Sequence, residues 1–157
     1  MQFNAEFDTL IRALCSNPTD IYNLRARQFE ELVAELWARM GYGVELTPET
    51  RDGGRDIIAS KSSETNTQVL IECKKYSAGR PVGVAIAQRM LGAVAQYDAT
   101  QGVIATTSTF TREAIKVFDV KPNRLTGHDF GNLVNLLWRV QMVIVPRIGA
   151  MTMPPLL

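Results

Sequence analysis

Arg51-Asp52-Gly53-Gly54-Arg55-Asp56-Ile57-Ile58-Ala59, followed by Val69-Leu70-Ile71-Glu72-Cys73-Lys74-Lys75-Tyr76, decides how this chain folds. Each stretch contains a short run rich in β-branched residues and bounded by turn residues, which reads as a strand. Side chains on a strand alternate faces, so Glu72 and Lys74 point one way and Cys73 the other. If the two strands pair, Asp56 sits beside Glu72. Two neighbouring carboxylates repel, which favours a divalent cation between them. A lysine on the same face adds positive charge where a phosphate develops negative charge. Together these are the minimal groups for metal-assisted phosphodiester hydrolysis.

The flanking sequence supplies a frame. Upstream, Phe29, Leu32, Val33, Leu36, Trp37 and Met40 form one apolar stripe, which predicts a helix from about Arg27 to Met40 ended by Gly41. Glu31 and Glu35 are expected to be solvated on its far side. Glu30 flanks the stripe and can reach over a sheet edge. Further upstream, Asn4 to Cys15 reads as a short amphipathic helix, broken at Asn17-Pro18, and Asp20 to Leu24 as another helical turn. Strands are expected at Val44–Thr47, Arg55–Lys61 and Thr67–Lys74, joined as an antiparallel meander.

Downstream, Pro81 opens a helix to about Tyr97. It is apolar on two sides, as for a helix packed between layers, and Gly92 is expected to admit a neighbouring backbone. A strand at Gly102–Thr106 follows, then a capped helix at Arg112–Phe118, a short strand near Asn123–Leu125 and a last helix at Asp129–Val140. This order gives an α/β fold with a central mixed β-sheet flanked by helices.

Composition bounds the rest. The chain has 157 residues, 46% apolar and 21% charged, enough for one domain with a sizeable core. No repeat, signal peptide or bilayer-length apolar run is visible, so a cytoplasmic protein without membrane contact is expected. A net charge of +1 argues against a strongly basic nucleic-acid binder. Lys74, Lys75, Arg80, Arg89, Arg112 and Lys116 could still make a local positive face. With two cysteines and one histidine, neither a disulfide nor a zinc site is expected. Cys15 reads as a small core residue, and His128 as a capping or surface residue. No phosphate-cradling glycine loop with its lysine is present.

An acid after a Gly-Gly turn, then an Ile-Glu-x-Lys strand, then a long helix resembles the PD-(D/E)XK nucleases. Phe29-Glu30-Glu31-Leu32-Val33, Gly41-Tyr42, Asp52 to Ala59, Glu72 to Tyr76, Leu91-Gly92-Ala93 and Thr106 to Ala114 narrow the likeness. They resemble the Mrr-like restriction endonuclease branch, from about Arg27 to Trp138. The resemblance implies a restriction-endonuclease-like three-layer sandwich and a DNA endonuclease that uses Mg2+ or Mn2+ and leaves 5′-phosphate ends. It implies Asp56, Glu72, Glu30 and the Cys73 backbone carbonyl as metal ligands. Lys74 would orient the attacking water or stabilise the pentavalent phosphate, and Gln88 would touch the water or the DNA backbone. Asp52 reads better as a turn acid than as a partner of the site. The proline of the superfamily name is absent, with Arg55 in its place, which does not affect the metal chemistry.

The expected organisation is one domain over 1–157, with a helical extension at 1–26, a nuclease core at 27–138 and an apolar tail at 139–157. Mrr-like chains often carry a separate DNA-reading domain, and only a short extension precedes the core here. Recognition by a partner subunit or another domain is therefore expected, and methyl-directed restriction is not. Two alternatives stand beside restriction or defence: a structure-selective, Holliday-junction-resolvase-like nuclease, and a non-catalytic DNA-binding or assembly module. From Met142 the tail is apolar, carries three prolines and has Arg147 as its one charge. An extended arm that joins a homodimer is the expected use.

Overall fold

The computed structural model describes residues 5–49 and 54–144. Five strands form one sheet in sequence order: β1 (Gly43–Leu46), β2 (Ile57–Ser62), β3 (Asn66–Lys74), β4 (Gln101–Thr106) and β5 (Leu125–His128). β1, β2 and β3 pair antiparallel, the expected meander. β3, β4 and β5 pair parallel, joined through the crossover helices α3 (Val84–Gln96) and α4 (Arg112–Val120). The remaining helices are α1 (Ala5–Ser16), α2 (Ala26–Arg39) and α5 (Phe130–Ile144), with a 3-10 turn at Pro18–Asn23. The mixed sheet with helices on both faces is the expected α/β architecture.

Strand alternation divides the core in two. Ile57, Ala59, Val69, Ile71, Val103 and Ala105 face α1, α2 and α5. Leu70 and Ile104, with Ile58 half-buried, face α3 and α4. The stripe of α2 is buried as read: Phe29, Leu32, Val33, Leu36 and Trp37 all enter the first core. Gly41, at φ +100°, ends this helix in the left-handed conformation that a side chain resists. Ile11, Leu14, Cys15 and Ile21 belong to the same core, so α1 and the 3-10 turn pack under the sheet with α2 and α5.

Five expectations change. α3 starts at Val84, three residues after Pro81, because the Val82 N–H donates to the Thr109 carbonyl and the Thr111 N–H to the Val82 carbonyl. Those bonds hold 81–83 extended. α3 buries one face only, through Ala87, Met90 and Val94, and Gly92 meets nothing. β5 lies at Leu125–His128, later than expected. Glu35 is only partly solvated, since it pairs with Arg39 across one turn at 3.0 Å. The stretch 50–53, with Asp52, and the tail 145–157 lie outside the described residues; Met142 belongs to the end of α5. Among the described residues no helix is long and apolar enough to cross a membrane.

Gly127 sits where α4 closes on the sheet, whereas Gly92 on α3 faces open space. A Cβ at Gly127 would stand 2.5 Å from Phe118 Cε2 and 2.8 Å from Phe110 Cε2, in a pair of rings packed edge to face. Gly127→Ala should therefore cost about 2 kcal/mol of stability through overpacking. Gly92→Ala, in open space on an α-helix, should instead gain about 0.5–1 kcal/mol. Urea unfolding midpoints of the two variants check the contrast, and equal shifts would contradict the packing at Gly127.

Candidate active site

The register sets the two acids. Ile57 pairs with Ile71, so Asp56 and Glu72 are the next residues out on adjacent strands. Both lie on the α3 side of the sheet, two residues from Ile58 and Leu70 of that face. Lys74 follows on the same face. Together with Glu30, Gly54, the Cys73 segment and Arg89 they line one polar cleft of about 340 Å³.

Hydrogen bonds through the backbone hold Asp56 and the end of β3 in place. The Asp56 N–H donates to the Ile71 carbonyl at 2.8 Å, and the Thr47 N–H donates to the Asp56 carbonyl at 2.9 Å. The buried Thr47 hydroxyl bonds the carbonyls of Arg55 and Asp56 at 2.9 and 3.2 Å. One carboxylate oxygen of Asp56, Oδ2, accepts the Cys73 N–H at 2.7 Å. That bond orients the carboxylate toward the end of β3. The Lys74 carbonyl accepts the Thr106 hydroxyl at 2.7 Å, and the Tyr76 carbonyl accepts the Thr107 hydroxyl at 2.6 Å. Tyr22 reaches from the N-terminal layer to the Thr107 carbonyl at 2.7 Å. A set of buried hydroxyls thus fixes the strand exit that carries Lys74.

Glu72 is 2% exposed, which a carboxylate tolerates only with charge compensation. Lys74 Nζ lies 2.9 Å from Glu72 Oε1, and the Arg89 guanidinium of α3 pairs with the same oxygen. Glu72 Oε2 is buried without a hydrogen-bond partner among the described residues. The orphaned oxygen, the neighbouring Asp56 and the Cys73 carbonyl segment in one polar cleft are hard oxygen donors, which fit a divalent cation such as Mg2+.

Glu30 stands at the rim. Its Oε2 is 3.0 Å from Arg27 Nη1, which also donates to the Thr47 carbonyl at 2.9 Å and so ties α2 to the exit of β1. Burial, and next the Asp56 charge, push the Glu30 carboxyl above its usual range, against the pull of Arg27. Among the described residues no three His, Cys, Asp or Glu side chains come close enough to share a metal ion. Glu30 lines the same cleft as Asp56 and Glu72, and there its carboxylate is paired with Arg27. Cys73 packs against the core of the opposite face, as expected, and burial pushes its thiol well up, with the acids of the site adding to the effect.

Gln88 is exposed on α3 and is not among the residues lining the cleft. Its neighbour Arg89 is. Sequence reasoning counted Arg89 only among possible surface cations and missed its place on Glu72. His128 neither caps a helix nor lies near the cleft. Its ring packs edge-on to Trp37 at 5.5 Å, where burial lowers its pKa, and the cap of α5 is Asp129, whose Oδ1 accepts the Asn132 N–H at 2.9 Å.

Comparison with known proteins bears on the family and the fold. The family model Mrr_cat, described as a restriction endonuclease, matches residues 21–139. The chain is similar to the uncharacterized protein y4cE of Sinorhizobium fredii (strain NBRC 101917 / NGR234). They are 28% identical over 108 residues, covering 68% of this chain and 28% of that protein. Two solved structures bear on the fold. The MspJI restriction endonuclease, in complex with a 27-mer oligonucleotide, gives a TM-score of 0.61 at 20% identity, over 91% of this chain and 33% of its own. The DNA modification-dependent restriction endonuclease AspBHI gives 0.60 at 22% identity, over 90% of this chain and 37% of its own. The chain thus spans roughly a third of the length of these proteins.

Proposed function

From the premise that the chain belongs to the Mrr_cat restriction endonuclease family, we propose that it is a Mg2+- or Mn2+-dependent DNA endonuclease acting in restriction or defence in the cytoplasm. The observation that carries this is the buried Oε2 of Glu72, without a hydrogen-bond partner among the described residues, beside Asp56 and Lys74 in one polar cleft. Asp56, Glu72 and the Cys73 carbonyl would hold the cation, with Glu30 adding negative charge from the rim. A bound cation supplies Lewis acidity toward a phosphate oxygen and lowers the pKa of water.

The chain's own groups do the rest. Lys74, fixed by the Thr106 hydroxyl through its carbonyl, places an ammonium where charge grows on the phosphate. The Cys73 N–H keeps Asp56 turned to the site. Gln88, on the outer side of α3, is assigned to the DNA backbone. Such contacts position a duplex without reading its sequence, so recognition falls to a partner subunit or another domain. A homodimer is proposed on the apolar tail and on the need to cut two strands.

Plasmid, linear, single-stranded and branched DNA incubated with Mg2+, Mn2+ or EDTA test this. Cleavage of duplex DNA with either metal and none with EDTA is expected. Cleavage in EDTA would refute the metal role, and preference for branched DNA would favour the resolvase alternative. Light scattering on the full chain and on a chain ending at Ile144 checks the dimer.

A further inference from the structure

Glu72 Oε1 already carries two cationic partners, and they are not equivalent. Lys74 comes from the same strand, two residues away, and is 25% exposed. Arg89 comes from α3 across the cleft and is 55% exposed, yet its guanidinium reaches a carboxylate that is 2% exposed. Its path is built into the backbone. Arg89 passes over Gly54, where an added Cβ would stand 3.0 Å from its Nε and within 4 Å of Cζ and Cδ. Gly54 also has φ +65°, which resists any side chain there. Arg89 therefore spans the mouth of the cleft between solvent and the acid at its floor.

We propose that Arg89 is a positioning residue that exchanges partners. It holds Glu72 when the cleft is empty and turns to a phosphate of the nucleic acid when one arrives, which releases Glu72 toward a cation. The inference rests on the proposed cation site. Its chemistry is that of guanidinium, which matches carboxylate and phosphate oxygens in the same forked geometry. A guanidinium on Glu72 and a divalent cation on Glu72 compete for one negative charge. A phosphodiester offers Arg89 a second anion, so phosphate binding and cation binding assist each other. Reciprocity follows by linkage: whatever factor DNA adds to cation affinity, the cation adds to DNA affinity. The half-exposed position of Arg89 makes the exchange cheap, because water solvates the guanidinium as it moves. Lys74 stays on Glu72 in both arrangements.

The test is Mn2+ binding to the full chain, read by the electron paramagnetic resonance signal of free Mn2+, with and without a non-cleavable phosphorothioate duplex. Wild type, Arg89→Met, Arg89→Lys and Glu72→Gln are compared, with circular dichroism to confirm folding. Without DNA, Arg89→Met should bind Mn2+ roughly fivefold more tightly than wild type, the factor for one half-exposed ion pair. DNA should tighten Mn2+ binding to wild type by a similar factor and leave Arg89→Met unchanged. Arg89→Lys should fall between. Mn2+ affinity of Arg89→Met equal to or weaker than wild type, without DNA, would overturn the exchange while leaving the cation site standing. Mn2+ binding that Glu72→Gln does not weaken would overturn the cation site itself, and the exchange with it.

Discussion

Lys74→Ala, Asp56→Asn and Glu72→Gln should each lower plasmid cleavage by about a thousandfold, with the fold retained. The size follows from groups that act as one unit on a charged centre, where losing any one forfeits most of the effect of all. The retained fold follows from the local charge balance. Asp56 and Glu72 are not two bare acids in repulsion, as their spacing alone suggests: Glu72 is compensated by Lys74 and Arg89, and Asp56 by the Cys73 N–H. In Glu72→Gln, both cations remain exposed enough for water to solvate them, and an amide of the same shape fills the floor of the cleft. In Asp56→Asn, the amide oxygen can still accept from Cys73. Cys73→Ser should keep activity within about tenfold, since its thiol faces the opposite core and its proposed contribution runs through the backbone. Initial rates on supercoiled plasmid with Mg2+, beside thermal unfolding of each variant, read both halves. A wild-type rate for Lys74→Ala would refute its assigned role.

Much of this site could be read from the residues because strand period and turn chemistry are local. Ile57-Ile58-Ala59 and Val69 to Ile71 fixed two buried strands, and pairing them in a meander brings Asp56 to Glu72 with no further information. What could not be read depends on how elements meet. The phase of α3 on the sheet puts Arg89, and not Gln88, into the cleft, and that phase is set by Met90 and Val94 packing onto Gly102, where a Cβ would meet them at 2.7 and 2.8 Å. β5 carries Thr126-Gly127-His128, with no apolar alternation. It is a strand because β4 offers it a parallel edge and because Gly127 lets the rings of Phe110 and Phe118 close over it. The start of α3 at Val84 has the same origin, since the bonds between Val82 and the Thr109–Thr111 turn are tertiary. Helix propensity at Pro81 yields to them.

Arg39→Ala should be the most destabilising single change considered, at about 3 kcal/mol. Periodicity put Arg39 in the last turn of α2 and gave no reason to bury it. Its side chain is 1% exposed, and its guanidinium meets Asp8 of α1 at 2.7 Å and Glu35 of its own helix at 3.0 Å. Nε donates a hydrogen bond to Glu35, whereas the contact to Asp8 is an ion pair off the hydrogen-bonding angle. A buried charge pair adds little over an apolar replacement, but removing one member leaves the others uncompensated and typically costs 3–5 kcal/mol. Here Asp8 and Glu35 are 28% and 17% exposed, so water relieves part of that penalty and the low end of the range applies. The pairing also decides where the protein opens first. Arg39 joins α1 to α2, and α1 supplies Ile11, Leu14 and Cys15 to the core under the sheet. Loss of Arg39 should loosen α1 from α2 while β2, β3 and α3, which form the cleft, stay paired. Thermal unfolding should fall by about 6–12 °C, as a domain of this size converts about 3 kcal/mol. Amide exchange should rise in α1 before it rises in β3. Arg39→Met keeps the stem volume and should recover part of the loss, which separates packing from charge. An unfolding temperature unchanged in Arg39→Ala would show that the three charges are independent of one another and that α1 is held by its apolar face alone.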